Sequence, residues 1–369
     1  MIAKCSASVT RRHISNGFTL AELLVSVFVL VIILFMVTQL MTSATAITRT
    51  GNKHIDTDTQ ARAVFDRIAL DFAQMVKRTD VDYFVKGPAS YNNHGHGNGH
   101  GWGHGLGTDQ QGSDQIAFFS QVPGYNSTNS SWQSPISLVA YRVNQRNATG
   151  NPAYLRLERM GKALLWNGAN NNVNGNNVYY PIVFLPQTID GIDVWSAAVN
   201  NGNSCNGNNA SCDPDYETIG PGVFRFEYYY LLKNGRVTDV PWNIDVWGTT
   251  RQSLTSPTNI GLGEIESIAV VIAVIDPAGR ALINAASANS LLDLAADMSD
   301  FKTAPGRGVG GAHRIGDMED TWKGILFGDS NRGLPGVVNT GQTSSGTPVP
   351  PEAVKAIRIY TRYFDLKTL

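Results

Sequence analysis

The chain has 369 residues, with 29 basic and 30 acidic side chains, a net charge of -1 and an apolar share of 42%. That apolar share excludes a wholly disordered chain, and the near-neutral balance excludes a general nucleic-acid binder, which needs a basic stripe to release counterions. Charged residues make up only 16% and glycines number 37, which points to long polar loops on a β-rich frame.

From Phe18 to Met41 the chain reads FTLAELLVSVFVLVIILFMVTQLM, long enough as a helix to cross a hydrocarbon core of about 30 Å. Lys4, Arg11 and Arg12 precede the run and no acid does, so the N-terminal side is expected to stay cytoplasmic. A secretory signal would be followed by a small-x-small cleavage site, and none stands at Thr38 to Ala46. Gly17 lies directly before the run, and Glu22 lies inside it. A carboxylate among apolar residues of a membrane helix is costly without a partner. A cut after Gly17 would provide one, the new amino group of Phe18, within one chain or between neighbouring helices.

The residues Gly17-Phe18-Thr19-Leu20-Ala21-Glu22, followed by the unbroken apolar helix, resemble the type IV prepilin family, which includes the pseudopilins of type II secretion. The family pattern is a basic leader, a Gly, an aromatic first mature residue and a Glu at the fifth mature position. This chain has all four. The resemblance implies cleavage after Gly17 by a prepilin peptidase, N-methylation of Phe18, and docking of Glu22 on a neighbouring subunit's Phe18. It also implies the partners: the inner membrane, the peptidase, other pilin-like subunits and their assembly platform. The expected organisation is a leader over 1–17, a transmembrane helix over 18–41, its periplasmic continuation over 42–87 and a head over 88–369. The location implied is the inner membrane, crossed once with the head in the periplasm, or a filament at the cell surface. Removing the leader would take away Cys5, Lys4, Arg11 and Arg12, leaving a mildly acidic chain with two cysteines.

Past the membrane run, Ile55, Val64, Ile68, Phe72, Met75 and Val76 mark an apolar stripe, at spacings of three and four from Val64 onward. Asp66, Arg67, Asp71 and Gln74 fill the other face. The stripe is expected to pack on the head, with the helix reaching about Phe84 and Gly87-Pro88 closing it. Gly51 is expected to loosen the helix between its two halves.

Beyond Pro88 short apolar or alternating runs predict strands over Gln115–Val122, Ile136–Val143, Ala153–Arg159, Tyr180–Leu185, Val223–Leu232 and Glu264–Ile275. Phe224, Phe226, Tyr228 and Tyr230 share one face of their run, with Arg225, Glu227 and Tyr229 on the other. Lys233-Asn234-Gly235-Arg236 reads as a hairpin turn into Val237–Val240. Ser267–Asp276 is apolar on both faces and predicts a buried central strand. Ala281–Asp297 predicts a helix, and so does the segment after Pro350-Pro351, where Ala353, Ile357, Tyr360 and Phe364 keep helical spacing. The fold class expected is therefore α+β: a long N-terminal helix, transmembrane then amphipathic, packed on an antiparallel β-rich head with long loops. This order of elements resembles the large J-type minor pseudopilins, and also the prepilin-like proteins of Verrucomicrobia gene cassettes. Relative to a compact J-type subunit, stretches near 88–112, 144–152, 167–178, 199–216 and 301–349 read as insertions.

His94, His96, His100 and His104 lie in the Gly-interleaved run NNHGHGNGHGWGHG, where four imidazoles suit weak binding of a transition metal. Ordering so many glycines is costly, which favours a low-complexity insertion over a metal site. Cys205 and Cys212 sit in one polar loop; outside the cytoplasm a disulfide between them is expected. Asp213, Asp215 and Glu217 follow at alternate positions and are the candidates for calcium, which some pseudopilins bind in such loops, against a reading as a solvated polar loop. Gly306–Gly311 matches GxGxxG only formally, and His313 stands alone. With no nucleophile elbow or HExxH stretch, the expectation is a structural and interaction protein, not an enzyme, with no resident cofactor.

Overall fold

The computed structural model describes residues 19–76, 84–86, 113–125, 133–145, 151–164, 169–173, 176–180, 213–238, 265–301 and 313–366. The chain divides into two compact units, Met1–Lys53 and His54–Leu369. The fold class is α+β.

In the first unit the described residues belong to α1, which spans Leu20–Ala73 and runs through Gly51 without a break. Leu20–Thr45 is long and apolar enough to cross a membrane, and its large apolar side chains are exposed. Thr38, Thr42 and Thr45 return their hydroxyls to the carbonyls of Leu34, Thr38 and Met41, at 2.7, 3.0 and 2.8 Å. Their polar groups are thereby satisfied within the helix, as a lipid surrounding requires.

In the second unit the rest of α1 buries the stripe Ala61, Val64, Phe65, Ile68, Phe72, Met75 and Val76, while Ile55 is exposed. The helix stops at Ala73, short of Phe84, because the chain there pairs with a strand. Val76 N donates to Phe119 O at 2.8 Å, and Gln121 N donates to Gln74 O at 2.9 Å.

The strands are β1 (Phe84–Lys86), β2 (Gln115–Ser120), β3 (Gly124–Tyr125), β4 (Gln133–Ser134), β5 (Ser137–Val143), β6 (Leu157–Ala163), β7 (Ala169–Val173), β8 (Asn176–Tyr180), β9 (Tyr216–Gly220), β10 (Val223–Leu232), β11 (Val237–Thr238), β12 (Ile265–Ile275) and β13 (Ile357–Asp365). One sheet has the order β1-β2-β5-β6-β3-β4, with β9 also on β6; a second has the order β11-β10-β12-β13; β7 and β8 form a separate hairpin. Pairing is antiparallel throughout except between β3 and β6. Phe72 of α1 joins the two larger sheets: its ring lies 5.1 Å from Phe118 of β2 and 5.4 Å from Phe364 of β13.

Strand β12 is the expected central strand, buried from Ser267 to Ile275. The turn at Lys233–Arg236 is the expected hairpin: Gly235 has φ +77°, and Leu232 N donates to Arg236 O at 2.8 Å. The predicted strand at 153–159 shifts to Leu157–Ala163. Asn151 Oδ1 accepts from Ala153 N at 3.0 Å, and this Asx turn holds 151–155 out of the sheet. Of the predicted strand Tyr180–Leu185 only Tyr180 is described, at the end of β8.

Among the described residues five α-helices follow β12 before the chain returns to the sheet at β13. They are α2 (Pro277–Ala286), α3 (Ser290–Asp297), α4 (Asp317–Phe327), α5 (Val337–Thr340) and α6 (Pro351–Val354). Asp276 caps α2, its Oδ1 accepting from Gly279 N at 2.7 Å with Pro277 in the first turn. The single helix expected over 281–297 is broken between α2 and α3. Small polar residues there compete for backbone groups: Asn289 N donates to Ser287 Oγ at 3.3 Å, and Ser290 Oγ donates to Pro348 O at 2.7 Å. The described part of the expected insertion 301–349 supplies core residues, among them Met318, Trp322, Leu326, Val337 and Val349.

The C-terminal segment departs most from its sequence expectation. Only the short α6, Pro351–Val354, is helical, and Ile357, Tyr360 and Phe364 lie on β13 instead. The run IRIYTRYF is rich in β-branched and aromatic residues, and β12 offers an edge whose backbone groups need partners.

Candidate functional site

The start of α1 is built by two residues of the sequence motif. Thr19 N and Thr19 Oγ1 both donate to Glu22 Oε2 at 2.9 Å, and Glu22 N donates to Thr19 Oγ1 at 3.3 Å. This is a capping box, in which an N-cap hydroxyl and a carboxylate three residues on satisfy donors that the helix cannot. The T-x-x-E spacing announces it, and the reading of Glu22 as a partner for an amino group overlooked it. Gly17 and Phe18 lie outside the described residues.

In the second unit the helix is fastened by Asp71, which sequence reasoning placed on the polar face. Asp71 is fully buried and takes a two-pronged bond from Arg159 of β6, Nε to Oδ2 at 2.6 Å and Nη2 to Oδ1 at 3.0 Å. Tyr141 of β5 donates its hydroxyl to the same carboxylate. Burial holds the Tyr141 phenol well above its usual range, reinforced by the Asp71 charge. For Arg159 burial pulls downward, but the bonds and charge of Asp71 outweigh it and the net shift is upward.

The acids proposed for calcium are each placed opposite a base. Asp213 lies 3.5 Å from Arg142 Nη2, Asp215 lies 2.9 Å from Lys162 Nζ, and Glu217 lies 3.6 Å from Arg159 Nη1. Glu217 and Arg159 are direct cross-strand partners of β9 and β6, while Asp213 and Asp215, just before β9, meet Arg142 of β5 and Lys162 of β6. His94, His96, His100 and His104 lie outside the described residues, as do Cys205, Cys212 and the run 306–311.

The carboxylates that converge among the described residues are Asp114, Glu227 and Asp300, with one oxygen of each within 4.8 Å of the others. All three are buried, and they come from the turn before β2, the middle of β10 and the chain after α3. Both faces of β10 are covered, so Arg225 and Glu227 are fully buried along with the aromatic face. Arg225 Nη2 stands 2.8 Å from Glu227 Oε1 as an ion pair, yet neither group is aligned for a hydrogen bond there. The Arg225 guanidinium also lies 5.7 Å from the ring of Trp322, whose Nε1 donates to Ser299 O at 2.7 Å. Burial pushes Asp114 up to about 8, with the Asp300 charge adding to it; the hydrogen bond with the Glu227 side chain, the Tyr228 N–H and the Arg225 charge oppose the shift. Burial also raises Glu227 well above the usual carboxylate range, helped by the charges of Asp114 and Asp300. No sequence signal announced this cluster, since its members are far apart along the chain and fit no ligand spacing.

Comparison with known protein families finds no family model that matches the chain, and comparison with curated proteins finds no match either.

Proposed function

We propose that the chain is a prepilin-like subunit, processed after Gly17 and assembled into a type IV pilus or a pseudopilus-like filament of a secretion system. The observation that carries this reading is the apolar helix Leu20–Thr45 entered through Thr19 and Glu22, directly after Gly17-Phe18 and a basic leader. In this role the helix leaves lipid for the interior of the filament, and its exposed apolar side chains exchange lipid for neighbouring helices. Glu22 then meets the amino group of an adjacent subunit's Phe18. The head lies in the periplasm or on the filament surface, where Cys205 and Cys212 are joined. Catalysis has no part in this role.

Mass spectrometry of the membrane-extracted chain tests it. The expected product begins at Phe18, carries one added methyl group and lacks the leader; an intact leader with unmodified Phe18 overturns the reading.

A second reading, a tip subunit whose head binds a carbohydrate, is favoured by an open cleft of about 620 Å³ in the second unit. It is lined by Asp320, Lys323, Phe327, Asp329, Asn331 and Arg332, which combine an aromatic edge with hydrogen-bonding groups. Glycan-array binding that is lost in Phe327→Ala supports this reading, and a silent array counts against it.

A further inference from the structure

The bases on β5 and β6 each face an acid: Arg142 meets Glu158, Arg159 meets Asp71, and Lys162 meets Asp215. Two half-buried arginines next to these strands do not. Arg156 stands in the turn before β6 and Arg280 near the start of α2, and the Nε of each is closed to solvent without a hydrogen-bond partner. A guanidinium nitrogen in that state is costly, because it has given up water and gained no acceptor.

The fold itself brings the two groups together. Leu155 N donates to Asn144 O at 2.6 Å and Asn144 N donates to Arg156 O at 3.0 Å, which fixes the turn against the end of β5. Leu155 has φ +52°, a left-handed conformation that is unfavourable for a residue with a Cβ. Its carbonyl accepts from Arg280 Nη2 at 2.9 Å, so the Arg280 guanidinium is tied to the residue directly before Arg156. Burial pulls Arg280 down to about 10, and the Arg156 charge adds to the fall. The neighbouring charge that acts on Arg280 is thus another base. Asp276, the acid closest to it in sequence, is turned to the cap of α2, where it accepts from Gly279 N.

The donor set indicates the ligand. Two guanidinium groups present planar forks of N–H donors, which suit the oxygens of a carboxylate or a phosphate. A carboxylate would balance one of the two charges, whereas a sulfate ion or a phosphate monoester carries close to two. Both arginines keep part of their surface open, so the ligand can enter from solvent.

We propose that Arg156 and Arg280 hold one doubly charged oxyanion, a phosphate or sulfate group, between the turn before β6 and the start of α2. The bound group turns the repulsion between the two bases into attraction and fastens the sheet edge of that turn to the helical segment after β12. The site goes beyond the filament role and shares no residue with the cleft lined by Phe327 and Arg332.

The test uses the full chain in detergent, dialysed free of phosphate and sulfate, at constant ionic strength and slightly alkaline pH. Equilibrium dialysis with radiolabelled inorganic phosphate gives stoichiometry and affinity, and unfolding midpoints are compared in sodium phosphate, sodium sulfate and sodium chloride. Wild type and Arg236→Gln, a change on the exposed hairpin turn, should bind one phosphate per chain and melt higher in phosphate than in chloride. Arg156→Gln should bind about tenfold more weakly or worse. It is the deciding variant, because Arg280→Gln also loses the bond to Leu155 O. A wild type that binds neither phosphate nor sulfate overturns the proposal, as does an Arg156→Gln protein that binds as tightly as wild type. A second readout needs no variant: phosphate should slow phenylglyoxal labelling of Arg156 and Arg280, mapped by peptide mass spectrometry, and leave Arg236 unaffected. Equal labelling with and without phosphate overturns the site. Displacement of the radiolabel by free phosphoserine supports a phosphate carried on a larger molecule, and failure to displace it supports the free ion.

Discussion

Asp71 of α1 and Arg159 of β6 form a two-pronged ion pair closed to solvent, at 2.6 and 3.0 Å, and the Tyr141 hydroxyl completes the carboxylate's shell. The pair helps to fix which face of the helix meets the sheet, because turning Asp71 away would leave the Arg159 guanidinium buried without this partner. Replacing Asp71 by Ala leaves a buried guanidinium without its principal counter-charge, and should cost about 3–5 kcal/mol in chemical unfolding of the detergent-solubilised chain. The double variant Asp71→Leu with Arg159→Met should lose much less, since it leaves no buried charge uncompensated. Equal losses in the two proteins would show that packing at this position matters and the charge does not.

The capping box separates two roles of Glu22. Thr19→Ala removes the N-cap hydroxyl and weakens the start of the helix by about 1 kcal/mol, while the carboxylate stays. Glu22→Ala removes cap and carboxylate together. With the proposed docking to Phe18 of a neighbour, Thr19→Ala enters filaments and Glu22→Ala does not, as measured by subunit content of sheared filaments. Equal exclusion of both variants would assign the defect to the helix start.

Two glycines respond oppositely to a methyl group. At Gly51 a Cβ meets nothing within 4 Å, and Gly is a poor residue for a helix interior. Gly51→Ala should therefore raise helix stability by about 0.5–1 kcal/mol, read as a higher thermal midpoint in far-UV circular dichroism. Gly336 has φ +81°, and a Cβ there would lie 2.4 Å from Gly328 N. Gly336→Ala should destabilise the head by at least about 1–2 kcal/mol from the backbone conformation alone.

His313 gives the head an acid-sensitive contribution. Its ring lies 4.3 Å from Phe301, which stacks in turn on Tyr229. Burial lowers His313 from its ordinary 6.5, with Asp317 pulling the other way. Above 6.5 both the folded and unfolded states carry neutral imidazole, so this group adds no pH dependence there. As the pH falls through that value the unfolded chain takes up the proton first, and stability is lost. Unfolding midpoints measured from about pH 8 to about pH 5 should decline less steeply in His313→Asn than in wild type. Identical slopes would remove His313 as the source.

The elements legible in the sequence are those whose signal is local. The apolar helix, the stripe at Val64, Ile68 and Phe72, the turn at Gly235 and the all-apolar β12 follow from side-chain periodicity and from glycine's access to positive φ. The T-x-x-E box was equally local, though its capping role was visible only beside the rival reading of Glu22.

What remained hidden depends on partners distant in the chain. The spacing of Ile357, Tyr360 and Phe364 suits a helix, and only the open edge of β12 draws that segment into β13. Asp71 reads as a solvent-facing acid until β5 and β6 bring Tyr141 and Arg159 against it. Asp114, Glu227 and Asp300 have no sequence relation at all. The amino-acid sequence by itself determined the membrane-type helix and the strand-forming runs, because periodicity is a property of neighbouring residues. The tertiary structure alone decided which charges are buried and which meet, because burial and pairing are properties of the whole packed chain.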